Sequence, residues 1–182
     1  VLEETLGHAA SSAILAKAGI DALPDGTAMI PEQQAARLHQ VLRTTAPDQA
    51  PQIAKKAGIR TAQYILRHRI PRPAQTVLRL LPGALAAKSL SKAISTHAWT
   101  FVGSGQFRAV SPWHFEIDNN PLIAGERGTS PLCHWNASVF QHLYQSLVDL
   151  RCVCVETRCG ALGAGPCVFA ISRKGRAQES HV

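Results

Sequence analysis

Residues 133–172 read CHWNASVFQHLYQSLVDLRCVCVETRCGALGAGPCVFAIS, and the fold is read outward from this stretch. From His134 to Asp149 the apolar period is helical, with Val139, Leu143 and Leu147 on one side. The period then shortens to two. Arg151 to Thr157 and Pro166 to Ser172 read as a strand pair around a Gly-containing connection. Upstream, Trp99 to Gly103, Gln106 to Ser111 and Trp113 to Asp118 read as short strands separated by Gly or Pro, followed by a Gly- and Pro-rich loop over 119–132. The earlier half is helical. Leu2, Leu6, Ala9, Ala13, Ala16 and Ile20 mark a stripe over 1–20, and Pro24, Asp25 and Gly26 mark a turn over 22–28. Pro31 opens a helix with Ala35, Leu38 and Leu42 on its face; further helices are expected from Ile53 to about Arg69, over 74–81 and over 83–97. Helices, then strands, then one helix and a hairpin predict an α+β domain whose antiparallel sheet packs against several helices. We expect a single unit over 1–172, helical over 1–97 and sheet-bearing over 98–172, with a polar tail over 173–182.

The composition fits a globular chain: 46% of the 182 residues are apolar and 17% are charged. No apolar stretch approaches the ~20 residues of a membrane span. The opening Val-Leu-Glu-Glu carries early acid and no positive region, which argues against a signal peptide within the sequence. A cytoplasmic protein is expected, with contact at the inner membrane surface left open. Nineteen basic against twelve acidic residues give a net charge of +7. Lys55, Lys56, Arg60, Arg67, Arg69 and Arg72 are the densest basic run. Such a run is usually a solvated helix face; otherwise it pairs with an acidic ligand or partner. No recognition helix or stacking platform accompanies it, so no nucleic-acid partner is expected.

Four of the five cysteines lie in the last 31 residues, beginning at Cys152, and Cys133 precedes them. Without an export signal, reduced thiols and a metal are the better reading than disulfides. Cys159 and Cys167 flank the hairpin connection, Glu156 sits where the first strand ends, and Cys133 sits in front of the last helix. Thiolates are soft ligands that suit zinc, and a carboxylate can complete a tetrahedron. Spacing alone, with no CxxC knuckle, leaves zinc and buried free thiols both open. Cys152 and Cys154 share the Glu156 face of their strand; they read as small core residues, the rival being Cys154 in place of Glu156 as a ligand.

The segment CVETRCGALGAGPCVFAIS resembles the C-terminal signature of the 4-vinyl reductase domain family, and CHWNASVFQHLYQSLV resembles its preceding Cys-led helix. The resemblance covers 133–171 most firmly and extends over 1–132 by helix order and the AGIDALPDG turn. It implies a fold similar to TRAPP transport-complex subunits and haem-based nitric oxide sensors, with a ligand between helices and sheet. It also implies a zinc held by Cys133, Glu156, Cys159 and Cys167, as in the sensors of aromatic-responsive transcription activators. Within the family the chain is most similar to the stand-alone members of bacteriochlorophyll biosynthesis. The implied ligand is therefore a magnesium tetrapyrrole such as Mg-protoporphyrin or protochlorophyllide, and the implied partners are biosynthetic enzymes such as magnesium chelatase. Monomer and homodimer are both left open.

The family name implies a vinyl reductase, but no reductant site is legible. Gly103-Ser104-Gly105 is the sole GxG, Arg108 stands where its third glycine belongs, and it lies between strands instead of opening a helix. Four protein ligands would leave a zinc no open position, so the metal is expected to be structural. A carrier of tetrapyrrole intermediates is the first reading, a reductase with an external reductant the second, and a ligand-occupancy sensor the third. Trp99, Phe101, Phe107, Trp113 and Phe115 alternate on the expected strands and could form one aromatic face for a flat macrocycle, unless helices cover it as ordinary core. Trp113 leads, because aromatic-binding relatives also use a strand Trp ahead of the first zinc Cys. His97 follows Leu90 and Ile94 on one helical face and is the expected inward axial ligand; His114 faces away from the aromatic side, and His134 adjoins Cys133 as a substitute zinc ligand.

Overall fold

A computed structural model describes residues 1–24, 30–163 and 165–174. The expected turn over 22–28 and the polar tail lie largely outside these residues. The elements run α1 (Leu2–Leu6), α2 (His8–Lys17), α3 (Glu32–Thr45), α4 (Ala50–His68), α5 (Arg72–Leu80), α6 (Gly83–Thr96) and α7 (Trp99–Val102). They continue with β1 (Gln106–Ser111), β2 (His114–Asp118), α8 (His134–Leu147), β3 (Cys152–Arg158) and β4 (Cys167–Arg173). The four strands form one antiparallel sheet in the order β1-β2-β4-β3, so the fold is α+β as the sequence predicts. None of the described helices is long and apolar enough to cross a membrane.

The sheet buries one face under α8. Phe115 and Phe169 pair across β2 and β4, and both are fully buried against Phe140 of α8. Val139, Phe140, Leu143, Tyr144 and Leu147 supply the apolar side of that helix. Its period of three and four brings them onto one stripe. The Tyr144 hydroxyl donates to the Pro112 carbonyl, fixing α8 against the β1–β2 turn. On its other side α8 packs against α4 at unusually close range. A Cβ on Gly58 would stand 2.5 Å from the Trp135 carbonyl oxygen, so only glycine permits this approach. A smaller apolar group, Ile14, Leu42, Ala50 and Ile53, joins α2, α3 and α4.

Two sequence expectations are corrected. Trp99 to Gly103 is a helical turn, α7, and not a strand. Its alternation of Trp99 and Phe101 imitates a strand, yet α6 ends only at Thr96 and the chain keeps turning until Gly103, whose φ of 53° ends the run. The helix over 1–20 breaks at Gly7, where φ is 81°. Beyond the break the buried residues are Ser11, Ile14 and Ala18, while Ala9, Ala13 and Ala16 are exposed. Alanine gives too little contrast between faces to show which one is buried.

Candidate metal centre

The β3–β4 hairpin and the start of α8 converge on one buried cluster. β3 carries a bulge between Glu156 and Arg158, which breaks the ladder where the carboxylate must turn inward. Cys167 opens β4, opposite Ile117 of β2. Cys159 closes β3 and precedes a 3-10 turn, Gly160–Leu162, which sharpens the connection. Cys133 stands immediately before α8. One ligand atom from each of Cys133, Glu156, Cys159 and Cys167 lies within 4.8 Å of every other. The Cys133 and Cys167 sulfurs are 3.4 Å apart. All three cysteines are buried and reduced.

A shell of donors surrounds these sulfurs. Main-chain N–H groups of Leu132 and Gly160 point at Cys159 Sγ and Cys167 Sγ, each at 3.5 Å. Asn120 Nδ2 donates to Cys133 Sγ at 3.3 Å and reaches Cys167 Sγ at 3.8 Å. The same Asn120 accepts from the Leu122 N–H through Oδ1 at 3.2 Å, capping a 3-10 turn at Pro121–Ile123. Donors aimed at sulfur stabilise thiolates and hold the ligand side chains in place. Glu156 accepts from the Cys133 N–H through Oε2 at 2.9 Å, while Oε1 is buried without a hydrogen-bond partner.

The electrostatics show four acids competing for too few protons. Hydrogen bonds from Cys133, outweighing burial, pull the Cys159 thiol down to about 4. Cys167 is lowered by the same donor. Cys133 is pushed up, by its bonds to Cys159 and then Cys167, with burial adding to the effect. Burial lifts the Glu156 carboxyl to about 8. An orphaned carboxylate oxygen facing three clustered sulfurs, inside a ring of N–H donors, is the pattern of a site built around a cation. Three thiolates and one carboxylate oxygen fit a metal ion.

Cys152 and Cys154 lie outside the cluster, buried in the main core. Burial raises both thiols, Cys154 to about 12, so neither is a ready thiolate. His134 lies half-buried beside Cys133, outside the four-ligand group.

The aromatic residues are distributed differently. Phe101, Phe107 and Phe115 meet, but as core: Phe107 lies 5.3 Å from Phe115 and 6.0 Å from Phe140 between ring centroids. The sheet face expected to receive a ligand is thus filled by α8. Trp113 sits in the β1–β2 turn, half-buried, with the Arg173 guanidinium 5.1 Å above its ring. Trp99 is exposed on α7, apart from this group. His97 is exposed, not inward: it is the C-cap of α6, and Nδ1 lies 2.9 Å from the Ala93 carbonyl oxygen. His114 is exposed too, as its place in the strand alternation predicts.

A cleft of about 610 Å³ opens instead between α3, α4 and the segment 127–134, beside the metal cluster. His39, Arg43, Arg127 and His134 line it, and the sequence reading did not single out three of these four. Asn120 was also missed, although an Asn before Pro is a turn-capping signal.

Sheet, hairpin and cluster together define an α+β domain built around a candidate metal centre, and its sequence agrees: residues 113–173 match the 4-vinyl reductase domain. Over 178 residues, 97% of this chain and 86% of the relative, it is 46% identical to the bacteriochlorophyll synthase 23 kDa chain of Cereibacter sphaeroides. It is 40% identical to the protein of the same name from Rhodobacter capsulatus, again over 97% of this chain and 83% of the relative. The chain belongs to the 4-vinyl reductase domain family, together with these bacteriochlorophyll synthase 23 kDa chains.

Proposed function

We propose that this chain is a zinc-containing, tetrapyrrole-binding protein of bacteriochlorophyll biosynthesis, which carries or presents Mg-protoporphyrin- or protochlorophyllide-type intermediates. The observation that carries the reading is 46% identity across 97% of the chain to a relative named for bacteriochlorophyll synthesis. The metal cluster supports the division of labour. Its four side chains complete a tetrahedral set, so zinc there would hold the hairpin to α8 and leave no position for substrate. Residues 1–172 act as one ligand-binding unit in this reading. Magnesium chelatase and the enzymes that follow it are the partners that would load and unload the chain, in the cytoplasm or at the inner membrane surface.

The test mixes purified protein with Mg-protoporphyrin and with divinyl protochlorophyllide, with and without NADPH. A shifted and intensified absorption band, with the vinyl group intact, is the result expected of a carrier. Multiple-turnover loss of the vinyl group would make the chain a reductase and overturn the carrier reading. Metal analysis of protein purified without added zinc should return about one equivalent per chain.

A further inference from the structure

We propose that the cleft between α3, α4 and residues 127–134 is where the macrocycle sits, with His39 as axial imidazole and Arg127 against a peripheral carboxylate. This rests on the tetrapyrrole-binding reading and says where and how binding occurs. At about 610 Å³ the cleft falls within the ~300–1,000 Å³ of small-molecule sites. Its inner wall is apolar and low in profile: Leu42, Ala50, Ala54 and Leu132 offer a surface on which a flat ring can lie. Its polar groups are of two kinds only, imidazoles and guanidiniums, apart from the Thr129 and Ser130 hydroxyls at the edge and the local main chain.

The walls are held apart by fixed contacts. Arg43 donates to the Leu122 carbonyl at 2.7 Å and pairs with Glu126, and Gln40 Nε2 donates to the Ala124 carbonyl at 3.1 Å. The outer rim is tied to the metal hairpin by the Gly128 N–H, which donates to the Ala161 carbonyl at 2.9 Å. Arg43 is therefore committed to structure. Arg127 is exposed on the rim and forms no ion pair among the described residues, so its charge is available to a guest. His39 stands half-buried, its ring edge-on to Trp135 at 6.5 Å. Burial, with Arg43 nearby, lowers its basicity to about 4, which keeps the imidazole neutral, the form that binds a metal.

The alternative locations fit such a guest less well. The aromatic sheet face is occupied by Phe140 and Tyr144. The second cleft, about 510 Å³ over Cys167, is lined by Glu32, Asp118 and Glu126 with no His, Lys or Arg. It would repel a carboxylated macrocycle and offers no imidazole to a magnesium ion.

The experiment titrates the zinc-loaded chain with Mg-protoporphyrin IX and with metal-free protoporphyrin IX, following the Soret band and fluorescence quenching. Arg127→Glu should weaken both porphyrins about tenfold or more. His39→Ala should weaken the magnesium porphyrin by a similar factor and spare the metal-free one. Ser130→Trp, an exposed rim substitution that leaves the core untouched, should block both, while Trp113→Ala should leave both unchanged. Zinc content and melting temperature identify any variant that has lost its fold. If the unaltered chain binds and all three cleft variants bind equally well, the macrocycle sits elsewhere and the placement is wrong. If the unaltered chain binds neither porphyrin, the tetrapyrrole reading itself falls, and the cleft assignment with it.

Discussion

The Cys133 N–H donates to the Glu156 carboxylate at 2.9 Å, so the start of α8 is joined to the bulge of β3 before any metal is considered. The bond uses one carboxylate oxygen and leaves Oε1 buried and free. Glu156→Gln keeps an acceptor for Cys133 but removes the charge that a cation needs. We expect it to retain the fold and to lose metal to mild chelation at least tenfold faster than the unaltered chain. Metal analysis after timed dialysis against a chelator reads this directly; equal retention would remove Glu156 from the ligand set.

Cys159→Ser and Cys152→Ala should separate ligand from core. Cys159 lies in the cluster and Cys152 does not. Because metal binding in such sites is coupled to folding, Cys159→Ser should lose the metal and much of the stability. Cys152→Ala removes one buried sulfur and should cost ~1 kcal/mol, with metal content unchanged. Denaturant unfolding and metal analysis on the same samples decide it, and metal loss from Cys152→Ala would contradict the cluster.

Asn120 is expected to act as a positioning residue for two sulfurs. Asn120→Leu removes the Nδ2 donor to Cys133 and the cap on the turn at Pro121–Ile123. We expect a cadmium-substituted sample to show a shifted thiolate charge-transfer band. Asn120→Asp should restore the cap, worth ~1 kcal/mol, but not the band, because it accepts where a donor to sulfur is required. An unmoved band in Asn120→Leu would reduce Asn120 to a turn residue.

The sequence showed the cluster and the hairpin because both are local. Residues 133–167 place four ligands on one helix start and one strand pair, and period alone fixes which way they face. The expected strands at 106–111 and 151–157 lie within a residue of those observed. What failed depends on contacts distant in sequence. Whether Phe115 faces a guest or Phe140 is decided by α8, 25 residues further along, and alternation in β2 is the same in either case. The cleft joins His39 to Arg127, which no local pattern connects. Trp99 and Phe101 misled because alternation over five residues cannot tell a strand from a continuing helical turn.

Gly58 sets how closely α4 meets α8. Gly58→Ala would place a methyl 2.5 Å from the Trp135 carbonyl oxygen and 2.9 Å from Ser138 Cβ. Both are parts of α8 that cannot rotate away, so the helices must separate. Overpacking of this kind costs ~1–3 kcal/mol, which outweighs the gain of up to ~1 kcal/mol in helix propensity. Urea unfolding should show a lower midpoint with an unchanged slope. A stabilised Gly58→Ala would show that this crossing has room to spare.

His39 should make the fold acid-sensitive. Its imidazole is held near 4 by burial and by Arg43, against 6.5 when unshielded. Above pH 6.5 it is neutral in both states and contributes nothing to pH dependence. As pH falls toward 4 the unfolded chain takes up a proton that the folded chain resists, so stability is lost across that window. At 1.36 kcal/mol per pH unit the loss is bounded at ~3 kcal/mol, and the partial exposure of the ring keeps it below that bound. The cluster acids also titrate on acidification, so the measurement is a difference. Unfolding free energies of the unaltered chain and of His39→Gln, both without ligand, are compared at pH 7 and pH 4.5. The gap between them should narrow or reverse at the lower pH, since glutamine cannot be protonated. A gap independent of pH would place the His39 ring in open solvent and remove the reason for treating it as a held, neutral imidazole.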